Sequence, residues 1–199
     1  MANVEVLPLE FQGFATTIDD YLQELQKLID DQRKQSEDLS RLIDQNAFHL
    51  SSDPTRPVLA PERAPQVPPI DLSAIDTVLA RLKRSASDYD AAYVRTVQSG
   101  EPLSAATRKS LNALLQGMEQ ALTSERGLPG RSWYRHLIYA PGLLTGYGVK
   151  TLPGVREALE ANRWEEANEY ARRTAEVLSA YCDRLDQATA LLQPASAAK

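Results

Sequence analysis

The sequence predicts an all-α protein, an up-and-down bundle of four long helices with an irregular loop inserted before the last helices. Three observations predict it. Apolar residues recur every three or four positions over four long stretches. Nowhere do strand-like and helical stretches alternate as a βαβ chain requires. One stretch, RSWYRHLIYAPGLLTGYGVKTLPG at 131–154, breaks the helical pattern; it holds four of the thirteen aromatic residues (Trp133, Tyr134, Tyr139 and Tyr147) and one of the two histidines.

Taken in order, the first helical pattern covers about 9–48. Phe11, Phe14, Ile18, Leu22, Leu25 and Ile29 share one face, DDQRKQSED is polar all round, and Leu39, Leu42, Ile43 and Ala47 resume the stripe. One long helix or two stacked helices fit, with the polar centre facing solvent or marking a break. Pro8 suits the first turn, where its missing N–H costs little. Residues 51–69 hold six of the twelve prolines, which excludes a helix and predicts an extended, semi-rigid connection lying on the surface. A plain linker is the simpler reading of it, and a proline-rich ligand for a partner domain the sharper one.

The second helix spans about 71–98, with Leu72, Ile75, Leu79, Leu82, Ala86, Tyr89 and Tyr93 inward; Asp71 accepts from its first turn, and Gly100 and Pro102 end it. The third spans about 104–124, with Leu111, Leu114, Leu115, Met118 and Leu122 inward. The irregular loop follows at 126–152. Pro153 starts a short helix to about 162, and a last helix runs from about 164 to 192 with Ala167, Tyr170, Thr174, Leu178, Tyr181, Leu185 and Leu192 inward. Residues 1–199 read as a single domain with a frayed tail, and at this length a chain buries roughly 70% of its unfolded surface without staples.

The totals exclude several function classes. The net charge is −5, with acids and bases interspersed, so no basic footprint for nucleic acid exists. No apolar run approaches the roughly 20 residues that span a bilayer, so this segment is expected to make no membrane contact. MANVEVLPLEF lacks the basic and apolar regions of a signal peptide, and it fits a natural start or the cut end of a longer protein equally. One cysteine, Cys182, excludes an internal disulfide and a multi-cysteine metal site. His49 and His136 lie 87 positions apart and no HExxH is present, so no metal site is expected. The acids on helical faces read as solvated charges. Cys182 lies within a helix beside Tyr181 and reads as an inert thiol. GYGVKT at 146–151 resembles a phosphate loop only superficially, having no strand before it, so Gly146 and Gly148 read as turn glycines. His136 reads as a hydrogen-bonded structural histidine, and Arg135 as a cation for an aromatic ring, a carboxylate or both.

The order of motifs around the loop carries a family resemblance. Gly127-Leu128-Pro129 is followed by Tyr134-Arg135-His136, then Ile138-Tyr139-Ala140-Pro141, then Pro153-Gly154 at a helix start. This is similar to the transferrin receptor-like dimerisation domain, the C-terminal helical domain of the glutamate carboxypeptidase II and transferrin receptor family. Leu7 to Phe11 resembles the family's entry into its first helix, and Pro69-Ile70-Asp71 the start of its second. The likeness is strong over 127–155 and loose elsewhere.

The resemblance implies a non-catalytic domain that forms a homodimer and covers one side of the substrate pocket of the parent's own catalytic domain. It implies two zinc ions in that catalytic domain and none here, a peptide substrate for the parent, and an extracytoplasmic setting. It implies that Tyr147 donates to a substrate carboxylate, whereas Gly146 stands where glutamate carboxypeptidase II has a lysine. With that cation gone, a less acidic substrate residue or a catalytically silent parent is expected; Lys150 is near in sequence and a candidate to reach back. Tyr134, Arg135, His136, Tyr139, Pro141, Pro153 and Gly154 form the structural cluster of the loop. The first and last helices are expected to supply the dimer face. The competing readings are a stand-alone helical adaptor or ligand-binding bundle with no link to a peptidase, and an enzyme in its own right.

Overall fold

A computed structural model describes residues 6–50, 59–100, 102–146 and 148–193. The predicted all-α bundle is present. Helix α1 is Gln12–Asp44, followed after a left-handed Asn46 (φ 54°) by the short α2, Ala47–Leu50. The polar centre is therefore no break, and the pattern predicted to reach residue 48 ends where Asn46 takes the conformation it tolerates better than most residues. Helix α3 is Ser73–Ser99, entered where Asp71 accepts from the Ser73 N–H at 3.0 Å and its hydroxyl at 2.6 Å, and closed by a left-handed Gly100. Helix α4, Ala105–Gln116, is capped by Ser104, whose hydroxyl accepts from the Thr107 N–H at 3.0 Å. Helix α5 is Pro153–Glu160 and α6 is Trp164–Leu192.

Contacts between side chains set the directions. Lys83 pairs with Asp19 at 2.7 Å, and Tyr89 meets Phe11 edge to face at 4.9 Å, so α1 and α3 are antiparallel. The Asp71 N–H donates to Asn168, Arg81 to Asp183 and Asp186, and the Thr96 hydroxyl to the Leu192 carbonyl, so α3 and α6 run parallel. Leu103 lies by Leu192, whereas Gly117 lies by Arg184, so α4 is antiparallel to α6. The long helices thus alternate up and down in chain order. Helix α6 is the hub. It packs against α3, α4 and α5 and buries a wide arc from Ala167 to Leu192, including all seven positions predicted inward.

Three expectations are corrected. The third helix does not reach 124. It stops at Gln116, Gly117 turns the chain with its carbonyl taken by Arg184, and a 3₁₀ turn covers Glu119–Leu122. Met118 and Leu122 stay buried through that break, so the apolar spacing continues although the helix does not. The loop at 126–152 is not wholly irregular, because it holds two antiparallel strands, β1 Tyr139–Pro141 and β2 Val149–Thr151, with Ala140 opposite Lys150. The apolar stripe of the last helix is no wider than the bundle core requires, since all seven positions predicted inward are buried within the bundle.

The far half of α1 is also less buried than its stripe predicts; Leu39 and Ile43 are half-buried and Leu42 is 40% exposed. What packs on it is the proline-rich connection. Arg33 donates to the Pro68 carbonyl at 3.3 Å, the Ser36 hydroxyl to that of Pro65 at 3.1 Å, and Arg63 pairs with Asp44. Side chains from the polar centre satisfy backbone carbonyls that prolines leave without ladder partners. The described part of this connection is thus strapped to the helix. No described helix is long and apolar enough to cross a membrane.

Candidate functional site

The loop from Thr123 to Leu152 is fastened to the bundle at its base. The Ser124 N–H donates to the Arg135 carbonyl at 2.8 Å, Leu137 to Leu122 at 3.0 Å, and Leu128 to Tyr134 at 2.9 Å. Leu128, Leu137, Ile138 and Leu152 are fully buried beneath it. Leu152 holds a left-handed backbone (φ 46°, ψ 53°) that costs a side-chain-bearing residue about 1–2 kcal/mol. Burial and the bond from its N–H to the Ile138 carbonyl, 2.7 Å, hold it there and aim Pro153 into α5.

A buried ion pair organises the outer half. Arg131 Nη2 donates to both carboxylate oxygens of Glu157 at 2.7 and 2.8 Å, and its Nη1 donates to the Pro141 carbonyl. Glu157 also accepts from the Leu143 N–H at 2.8 Å. Arg131 is 3% exposed and lies over the Tyr134 ring at 5.3 Å. One residue of α5 thereby fixes both ends of the turn that leaves β1. Sequence reasoning missed this pair. The available signal was Glu157 itself, an acid on the same buried face of α5 as Gly154, Val155, Ala158 and Leu159. A carboxylate in that position requires a partner.

A second tie comes from α6. The Tyr170 hydroxyl donates to the Gly127 carbonyl at 2.8 Å within the interior, and its ring lies against Gly154. Gly127 and Gly154, from two separate family motifs, thus meet one tyrosine.

His136 is held on both nitrogens. Its Nδ1 accepts from the Ile138 and Tyr139 N–H groups at 3.3 Å, which places the proton on Nε2, where it faces Glu119 at 2.9 Å. The Tyr139 ring lies 4.3 Å away and its hydroxyl donates to Glu119 at 3.4 Å; partial burial, then the Glu119 carboxylate, push that phenol's pKa up. Arg135 points outward to Glu125 at 3.2 Å, so its partner is a carboxylate, and the ring-facing cation is its neighbour Arg131. Pro141 is exposed, its carbonyl bound by Arg131; Pro153 and Gly154 are buried. Gly146 is exposed with φ 59°. Tyr147 lies outside the described residues. Lys150 pairs with Glu160 at 2.6 Å and therefore does not reach toward Gly146.

The hairpin presents an apolar rim to the outside. Leu144 is 93% exposed, Val149 68% and Leu143 54%, with Trp133 also open. These residues sit on a base tied by Arg131, Glu157 and Tyr170, so the exposure belongs to an ordered surface. Contiguous exposed apolar residues of this kind mark contact sites.

His136 has both nitrogens engaged, and Cys182 is fully buried. Among the described residues no group of three His, Cys, Asp or Glu converges. Burial pushes the Cys182 thiol up to about 11, so a thiol-specific reagent at pH 8 is expected to label it in urea and not in the native protein. Native labelling as fast as in urea would contradict the packing of α6.

The family model described as the transferrin receptor-like dimerisation domain matches residues 70–186, more than half of the chain. A protein of Arthroderma benhamiae named as a probable glutamate carboxypeptidase is 34% identical over 115 residues, 58% of this chain and 16% of that protein. One of Arabidopsis thaliana with the same description is 46% identical over 52 residues, 26% of this chain and 8% of its own length. An inactive zinc metalloprotease of Schizosaccharomyces pombe is 38% identical over 64 residues, 32% of this chain and 8% of that protein. The chain thus spans a sixth or less of the curated relatives it matches.

Proposed function

The chain belongs to the transferrin receptor-like dimerisation domain family, and from that premise we propose that it is the non-catalytic part of a glutamate carboxypeptidase-like protein, where it pairs two copies and lays its hairpin over the substrate pocket of the parent's catalytic domain. Zinc and the hydrolytic groups belong to that catalytic domain. This chain contributes shape: a hairpin braced by Arg131, Glu157 and Tyr170, with Gly146 exposed at its turn.

The single observation that carries the covering role is the apolar rim at Leu143, Leu144 and Val149 on an ordered base. A surface built to face water has no use for it, whereas a lid over a pocket excludes water with it. In the full-length parent, Leu143→Ser with Leu144→Ser is expected to lower kcat/KM on a peptide substrate about tenfold while leaving the thermal midpoint unchanged, because both residues are already exposed. Unchanged kinetics would end the covering reading. Tyr147→Phe with unchanged kcat/KM would remove that tyrosine alone from the site.

Pairing rests on the family. Light scattering over a concentration series is expected to give twice the chain mass into the low micromolar range, since a stable twofold interface buries on the order of 1,200–2,000 Å². A monomer throughout would place the essential interface in the catalytic domain.

A further inference from the structure

Helix α1 carries a seam longer than the bundle it serves. Ala15, Ile18, Leu22, Leu25, Ile29, Gln32, Ser36, Leu39 and Ile43 follow one another at alternating steps of three and four residues, the spacing by which one helix packs along another. The first five are buried in the bundle. With Lys83 level with Asp19, α3 begins level with about Ile29, so the seam runs on past the start of its partner helix. Gln32 donates from Nε2 to the Leu159 carbonyl, near the end of α5, at 3.0 Å. Beyond it the seam meets the proline-rich strap.

The strap is a poor filling for a helix seam. Its ties are polar: the Ser36 hydroxyl donates to the Pro65 carbonyl, Arg33 to that of Pro68, and Arg63 pairs with Asp44. A cleft of about 690 Å³, lined by Ser36, Ser40 and Arg41 on the helix and by Gln66 and Val67 on the strap, stays open between the two. Well-packed helices leave no gap of that size. Leu39 and Ile43 stay half-buried, and Leu42 is exposed beside them. Helix α1 and the strap both precede residues 70–186, so membership of the family says nothing of this contact.

We infer that the strap is an autoinhibitory cover: it occupies a helix-docking face of α1, and the same face of a second copy is the occupant it keeps out. The face is self-complementary, because a twofold antiparallel pair sets Leu39 of each copy against Ile43 of the other. Arg33 and Arg41 beside it are already paired along the helix, with Asp30 at 3.6 Å and Asp38 at 2.7 Å, so neither adds a repelling charge to the contact. This contact is independent of the pairing and the covering proposed above.

The test compares the 199-residue chain with one in which residues 59–68 are replaced by a glycine-serine run of equal length. That change leaves α1 untouched and removes the stiff proline backbone and Val67. At equal concentration in the high micromolar range, light scattering is expected to give the glycine-serine chain about twice the mass of the wild type. Leu39→Ser with Ile43→Ser in that chain is expected to return the mass to the wild-type value. The wild-type mass reports on the pairing proposed above, and only the increment reports on the seam. Equal masses for the wild-type and glycine-serine chains overturn the inference. So does an increment that survives Leu39→Ser with Ile43→Ser. A loss of helix by circular dichroism in the glycine-serine chain overturns it as well, because the strap would then hold α1 together and not cover it.

Discussion

Replacing Arg131 by methionine is expected to destabilise the domain by about 3–5 kcal/mol, the usual cost of stranding one member of a buried ion pair. Glu157 would keep the Leu143 N–H at 2.8 Å but lose two bonds from Arg131, and the Pro141 carbonyl would lose its donor as well. The effect is expected to be local in structure though global in stability. Residues 141–143 are pinned from both sides by this pair, so the single variant should expose the hairpin to proteolysis before the bundle melts. The informative companion is Arg131→Met with Glu157→Met. Similar volume without charge removes the stranded carboxylate, and the double variant is expected to recover more than half of the loss. Urea unfolding followed by circular dichroism measures both. A single variant within 1 kcal/mol of wild type would mean that water reaches Glu157 and that the pair does not organise the loop.

Gly154→Ala is expected to cost about 3 kcal/mol, at the upper end of ordinary overpacking. A Cβ at this position would stand 2.6 Å from Tyr170 Cγ and 2.9 Å from Cε1. The ring has nowhere to go. Its hydroxyl is committed to the Gly127 carbonyl, and the Arg173 guanidinium lies over the ring at 4.9 Å. The added methyl therefore acts on α5, on α6 and through Tyr170 on the loop entrance together. Gly130→Ala is the control. It has no neighbour within 4 Å, so only its φ of 67° should register, about 1–2 kcal/mol. In a Tyr170→Leu background the cost of Gly154→Ala is expected to shrink, because the two changes share one contact. Equal cost in both backgrounds would show that the clash is not with the ring.

The four-helix pattern was legible because amphipathic periodicity is a local property. Ile18, Leu22, Leu82, Leu111, Leu178 and Leu185 were predicted inward and are fully or almost fully buried. The same logic failed at Gly117, where the chain changes helix type yet keeps Met118 and Leu122 in phase with the core. It failed again along the far half of α1, since a stripe announces apolar residues and not whether another element arrives to cover them. Within the loop, the motifs pointed to the right segment and to Arg135, which pairs with Glu125, but not to the buried Arg131. Arg135 stood out through its neighbours His136 and Tyr134, whereas Arg131 is buried by a residue 26 positions later. That partner was marked only by being an acid on an apolar face.

The sequence by itself determined the helices, their inward faces and the family, because each rests on the order and spacing of side chains along the chain. Only the tertiary structure decided which cations are spoken for, that Tyr170 joins Gly127 to Gly154, and that α6 is consumed as the hub. Those are pairings between distant segments, and a pairing is settled by which groups lose their water together.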